Sequence, residues 1–171
     1  MQSINLTDLF PAEIAEMLGL RPFQGKQIFQ WLHRRRVFDV QGMTNLPKAL
    51  RNALEESAIP AQLEPLHVSS STRALGTKKA LFRLKDGETI ESVLIRDRDR
   101  VTICLSTQVG CALKCTFCAT GTSGFTRQLS PGEIAEQALH LLAGEDLGDA
   151  TPNIVYMGMG EPFRNYDAVT K

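Results

Sequence analysis

Val101-Thr102-Ile103-Cys104-Leu105-Ser106 reads as a β-strand, and Gln108-Val109-Gly110-Cys111-Ala112-Leu113-Lys114-Cys115-Thr116-Phe117-Cys118 follows it as a loop with cysteines spaced C-x3-C-x2-C. Thiolates are soft ligands suited to iron–sulfur clusters or zinc. Three of them on one loop can hold three irons of a cubane cluster and leave the fourth iron open to a ligand. Structural zinc sites usually come as two separated pairs, so this spacing suits zinc poorly, although Cys104 or a histidine could complete such a set. All four cysteines of the chain fall within fifteen consecutive residues. A disulfide scaffold would spread them along the chain to staple distant loops. Phe117 is expected to shield a cluster from water.

Downstream, Ser130-Pro131-Gly132-Glu133 has Ser at the N-cap, Pro at the first helical position and Glu at the third, a capping box. The helix is expected to run to about Ala143, with Ile134, Ala138, Leu141 and Leu142 on one face. Asn153-Ile154-Val155-Tyr156-Met157 reads as a short buried strand ending in Gly158-Met159-Gly160-Glu161-Pro162. Strand, loop, helix and strand make a βαβ unit with parallel strands. Upstream, residues 80–84 and 89–95 flank Asp86-Gly87 and read as a β-hairpin. The first sixty residues read as three helices: Pro11 to Leu18, stopped by Gly19; about Pro22 to Arg35, with Phe23, Ile28, Trp31 and Leu32 at helical spacing; and about Pro47 to Ser57, with Leu50, Ala53 and Leu54 inward. Pro60 and Pro65 mark a linker.

The bulk properties constrain function less. In 171 residues, 43% apolar, there is enough hydrophobic material for a real core. Nineteen basic residues balance nineteen acidic ones, so any nucleic-acid site must be a local patch. His33-Arg34-Arg35-Arg36, with Arg21, Lys26, Lys48 and Arg51 nearby in sequence, is such a patch; helix capping and phosphate contact both explain it, while Trp31 reads as core. No apolar run approaches the roughly 18 residues of a membrane span. Met1 to Leu6 lacks a basic start followed by an apolar run, so no signal peptide is read and a cytoplasmic location is expected.

The cysteine loop, with an aromatic before its last cysteine, resembles the radical S-adenosylmethionine (SAM) superfamily, and Gly158 to Pro162 resembles that superfamily's glycine-rich turn at the SAM amino group. Gln108 to Cys118, Met157 to Pro162, Pro22-Phe23-Gln24-Gly25-Lys26-Gln27-Ile28, Trp31 to Arg36 and Met43-Thr44-Asn45-Leu46-Pro47 together resemble the RlmN/Cfr group of RNA adenine methyltransferases, on the RlmN side. That resemblance implies an α/β fold: a helical RNA-binding accessory domain (1–62), a linker and β-hairpin (63–98), and the first βαβ part of a radical-SAM partial (β/α) barrel (99–171). It implies a [4Fe-4S] cluster held by Cys111, Cys115 and Cys118, with SAM chelated at the open iron and contacted by Gly160 and Glu161. It implies methylation of C2 of an adenine in 23S rRNA, and in some tRNAs, by a monomer without membrane association that takes electrons from a donor such as flavodoxin.

In the resembled group one SAM methylates a cysteine near the C-terminus, a second yields a 5′-deoxyadenosyl radical, and the methyl-derived radical adds to the adenine. Glu91 matches the glutamate assigned there as proton acceptor, and Cys104, seven residues before the loop, matches the cysteine that resolves the protein–RNA crosslink. On the residues alone, Glu91 also reads as a solvated strand residue and Cys104 as a small residue in a strand. The methyl-carrying cysteine has no match, so the chain is expected to be the N-terminal half only and not to methylate RNA by itself. A non-catalytic RNA- or cluster-binding fragment, another radical-SAM enzyme and a zinc module are the competing classes.

Overall fold

The computed structural model describes residues 4–72, 76–98, 100–147 and 151–171. Residues 1–3, part of the stretch read for a signal peptide, lie outside the described residues. The chain divides into two compact units, Met1–Gln62 and Leu63–Lys171.

The first unit is built on β1 (Ile4–Asn5), α1 (Pro11–Met17), α2 (Pro22–Phe29), α3 (Lys48–Ser57) and β2 (Ala58–Ile59). Proline opens α1 and α2, where a missing N–H costs nothing. Strands β1 and β2 pair in parallel and tie the start of the unit to its end. Leu6, Ile14, Ile28, Leu32, Met43 and Leu54 form its core, and Trp31 joins them. Ala53, expected inward, is exposed, and so is Phe23. The second helix departs from expectation at its end: Gln30–Arg34 is a π-helical turn, with the Arg35 N–H reaching back to the Gln30 carbonyl at 3.0 Å. The Arg35 guanidinium lies 4.2 Å from the centroid of the Trp31 ring.

The second unit centres on one five-stranded sheet of order β3-β4-β5-β6-β9. Its strands are β3 (Glu64–Ser70), β4 (Lys78–Arg83), β5 (Thr89–Asp97), β6 (Arg100–Cys104) and β9 (Asn153–Val155). Neighbours are antiparallel through β6, and β6 pairs in parallel with β9, as a βαβ unit requires. Strand β3 corrects the linker reading: residues 64–70 and the hairpin after them are three strands of the sheet that holds β6. The prolines misled because an edge strand tolerates Pro65, whose absent N–H leaves no ladder bond unmade. The hairpin turn is also longer than a two-residue one: the Gly87 N–H bonds Leu84 O at 3.0 Å, and the Leu84 N–H bonds Glu88 O at 2.8 Å.

Between β6 and β9 the chain forms a second small ribbon, β7 (Gln108–Gly110) with β8 (Phe125–Gln128), around a short α4 (Ala119–Thr122), and then α5 (Pro131–Leu141). The Ser130–Glu133 capping box is formed in both directions, at 3.1 and 2.9 Å. Helix α5 lays Ile134, Ala138 and Leu141 in one core with Phe82, Ile90, Leu94, Ile103 and Leu105. Full burial of each Ile, Leu or Phe among them contributes about 1.5–3 kcal/mol. Strand β9, expected to be buried, is the sheet edge, and Ile154 is 52% exposed. Helix α6 (Tyr166–Thr170) closes the described chain. No helix among the described residues is long and apolar enough to cross a membrane.

Candidate cofactor site

Strands β6 and β9 run the same way and end side by side. The loop after β6 leads to the cysteines, and the loop after β9 is Gly158–Pro162. Both are therefore delivered to the same end of the sheet, where parallel α/β folds place their ligands.

Residues 106–108 stitch these loops together. Ser106, Thr107 and Gln108 are buried polar residues where a continuing strand would ordinarily carry apolar ones. Thr107 and Gln108 donate their N–H groups to Met159 O at 2.8 and 3.2 Å. The Gln108 side chain accepts from the Glu161 N–H at 3.0 Å and donates to Gln128 Oε1 at 2.8 Å. Asn165 Nδ2 donates to the carbonyls of Thr107 and Leu129, at 2.9 and 2.8 Å. Gly160 sits at φ +101°, and a Cβ there would lie 2.6 Å from Gln108 Cβ, so backbone conformation and close approach both demand glycine. Glu161 caps the following turn, accepting from the Phe163 N–H at 3.1 Å.

In the cysteine loop, Gly110 at φ +74° brings β7 against β8, where a Cβ would fall 2.0 Å from Gly124 O. The Cys111 N–H then bonds Gly124 O at 2.8 Å, and the Cys118 N–H bonds Cys115 O at 3.1 Å. Cys111 is buried; Cys115 and Cys118 are half-buried. Hydrogen bonds from the backbone of Gly121 and Thr120 hold the Cys118 thiol below its ordinary pKa, favouring thiolate. Among the described residues no three His, Cys, Asp or Glu side chains converge tightly enough to hold a metal ion. Ligand sets of this kind commonly close only around the bound group. The donor chemistry fits a soft metal cluster: three thiols on one short loop, one of them with its pKa lowered by backbone hydrogen bonds. Phe117 is 92% exposed.

Glu91 and Cys104 share the sheet face turned away from α5. Val93 is the register partner of Cys104, and Glu91 lies two residues along β5 from Val93. Such diagonal neighbours are separated by roughly 7–8 Å. The Glu91 carboxylate pairs with Lys79 Nζ at 2.8 Å while remaining half-exposed. Cys104 is half-buried, and burial pushes its thiol pKa up, opposed by a hydrogen bond from the Met157 backbone. The sheet register thus brings Glu91 and Cys104 together, and Gln108 brings Gly160 and Glu161 to the root of the cysteine loop.

Sequence reasoning passed over Ser106, Gln108, Gln137 and Asn165. The one signal was the polar Ser-Thr-Gln run between a strand and a metal-type loop. Nothing local marks Gln137 or Asn165, whose partners are distant in sequence. Arg127 is also new: its guanidinium takes Glu133 in a two-pronged pair, 2.8 Å on each arm, and Asp86 Oδ2 at 2.5 Å. It bonds the helix-start glutamate to the turn of the hairpin and fixes β8 beside them.

In the N-terminal unit, a hollow of about 540 Å³ is lined by Lys26, Phe29, Gln30, His33, Arg34 and Arg36, with no acidic residue among the described residues of its wall. His33 stacks on Phe29 with ring centroids 4.1 Å apart. Its Nε2 is buried without a hydrogen-bond partner among the described residues.

A cysteine loop after one strand and a glycine turn after its parallel neighbour define the opening of a radical-SAM type of barrel. Known proteins narrow the class. The family model for the ribosomal RNA large subunit methyltransferase N-terminal domain matches residues 4–59. A probable dual-specificity RNA methyltransferase RlmN from Heliobacterium modesticaldum is 50% identical over 182 residues, covering 99% of this chain and 46% of that protein. A dual-specificity RNA methyltransferase RlmN from Desulfotalea psychrophila is 44% identical over 173 residues, covering 96% and 47%. The crystal structure of a radical SAM methyltransferase from Sphaerobacter thermophilus superposes with a TM-score of 0.88 at 42% identity, covering 98% of this chain and 50% of that one. The chain is similar over nearly its whole length to RlmN proteins, and it spans about half the length of the curated relatives it matches.

Proposed function

We propose that this chain supplies the cluster- and SAM-binding part of an enzyme that methylates C2 of an adenine in 23S rRNA and in tRNA. The observation that carries this reading is the pairing of Gly160–Glu161 with Gln108 at the root of the cysteine loop. Cys111, Cys115 and Cys118 hold a [4Fe-4S] cluster through three thiolates. The bound cluster and SAM supply one-electron cleavage chemistry. The backbone at Gly160, free of any side chain, lets the amino end of SAM approach closely, and Glu161 offers acceptors to it. Glu91, tethered to Lys79 and half-exposed, accepts a proton at the adenine, and Cys104 on the same face serves as the resolving thiol.

In the N-terminal unit, Lys26, Arg34 and Arg36 contact RNA phosphates. The enzyme works as a cytoplasmic monomer and takes electrons from a flavodoxin-type donor. The test is anaerobic reconstitution with iron and sulfide. Expected are about four irons and four sulfides per chain, following the cubane stoichiometry, and SAM binding that the Cys111→Ala variant loses. C2-methyladenine is then sought by mass spectrometry in 23S rRNA and tRNA from cells carrying or lacking the gene. Zinc in place of iron, or unchanged adenine, would overturn the reading.

A further inference from the structure

The polar segment after β6 contains one side chain that touches both halves of the candidate site. Ser106 Oγ donates to the Glu91 carbonyl at 2.6 Å and accepts from the Met159 N–H at 2.8 Å. Its backbone is clamped by a single amide from α5. Gln137 Oε1 accepts from the Ser106 N–H at 2.8 Å, and Gln137 Nε2 donates to the Ser106 carbonyl at 2.9 Å. Gln137 also donates to Glu133 O at 3.0 Å and accepts from Ser92 Oγ. Both residues are fully buried. A buried network with every donor and acceptor used is rigid, and removing one member leaves the others unsatisfied.

We propose that Ser106 is a positioning residue: through its hydroxyl it fixes the turn at Met159–Gly160 against the Glu91 end of β5, with Gln137 holding Ser106 itself in place. The proposal rests on the reading that Gly160 and Glu161 meet SAM. Met159 is held on both sides, its N–H by the Ser106 hydroxyl and its carbonyl by the Thr107 and Gln108 N–H groups. The next residue is Gly160, at a backbone angle that the preceding residue must support. A hydroxyl that bonds both the Glu91 strand and this turn sets their spacing, which an alanine of the same backbone would leave loose. Arg127–Glu133 and Glu145–Lys78 also join elements, but neither touches the glycine turn.

The test compares wild type, Ser106→Ala, Ser106→Thr and Ser92→Ala. Hydrogen exchange at the Met159 amide is read in the cluster-free chain, and the SAM dissociation constant in the cluster-loaded chain. Loss of the buried hydrogen bond to the Met159 N–H predicts that Ser106→Ala raises exchange and the dissociation constant each about tenfold. Ser106→Thr, which keeps the hydroxyl, restores both. Ser92→Ala disturbs the same Gln137 amide and lowers the thermal midpoint without changing SAM affinity. Should Ser106→Ala fail to fold, Gln137→Glu, which keeps the acceptor and loses the donor, is read the same way. SAM binding by Ser106→Ala within twofold of wild type, or by Ser106→Thr as poor as by alanine, overturns the proposal alone. Wild type that holds a cluster but binds no SAM overturns the Gly160–Glu161 reading and the proposal with it.

Discussion

Gln108 Oε1 accepts the backbone N–H of Glu161 across 53 positions of sequence, at 3.0 Å. The other end of the same amide donates to Gln128 in β8 at 2.8 Å. One buried side chain therefore joins the glycine turn to the ribbon that carries the cysteine loop. Gln108→Leu keeps most of the volume and loses both bonds, leaving the Glu161 N–H without its partner. The expected cost is about 1–3 kcal/mol of unfolding free energy, read by urea denaturation. A stability equal to wild type would show that the amide does not hold the turn.

Gly160→Ala meets two obstacles, a backbone at φ +101° and a Cβ 2.6 Å from Gln108. Destabilisation of about 1–3 kcal/mol is expected from the backbone strain alone. The thermal midpoint should fall, and SAM binding with it. Gly87→Ala is the control: it has φ +89° but nothing within 4 Å, so it shares the strain without the clash and should cost less.

Acidification should destabilise the fold in two stages. Burial lowers the pKa of His33 and His140, so the unfolded chain binds protons more readily than the folded one. Their contribution is complete above the unfolded value of about 6.5 and is lost as pH falls from there toward the lowered folded values. Glu145 is held below the usual carboxylate range by hydrogen bonds from Lys78 and then Arg96, and Asp86 by Arg127. Their contribution is complete above about pH 4 and is lost below it, as pH falls through their lowered values. Urea midpoints at pH 7, 5.5 and 3.5 read both stages. Glu145→Gln should flatten the lower stage and leave the upper one intact; an unchanged lower stage would remove Glu145 from this account.

Arg34→Glu and Lys26→Glu should weaken RNA binding and reduce the slope of log affinity against log salt by about one for each lost phosphate contact. The two residues line the same hollow, so the double variant should lose more than either single one. Filter binding across a salt series measures this. Salt slopes equal to wild type would place the RNA elsewhere.

Much of the local structure was written in local sequence. Pro11 and Pro22 open helices, Ser130 and Glu133 cap one, and Asp86-Gly87 sits in a hairpin turn, because each signal acts over a few residues. Signals failed where a neighbour supplied the reason. Strand β3 was hidden because its seven residues are all exposed and carry a proline, which only an edge position permits. The π turn at Gln30–Arg34 leaves no mark in the helical spacing of Ile28, Trp31 and Leu32.

The sequence by itself determined which residues the proposed site draws on: three thiols at C-x3-C-x2-C, a glycine-rich turn, Glu91 and Cys104. It could do so because cysteine chemistry and glycine permissiveness belong to the residue. Only the tertiary structure decided how those pieces are held. Pairing of β5 with β6 puts Glu91 and Cys104 on one face, and the parallel pairing of β6 with β9 brings two distant loops to one end. Ser106, Gln108, Gln137 and Asn165 then fix them there through hydrogen bonds whose partners are 15 to 58 residues away. Such bonds depend on burial, and burial is a property of the folded chain rather than of any segment of it.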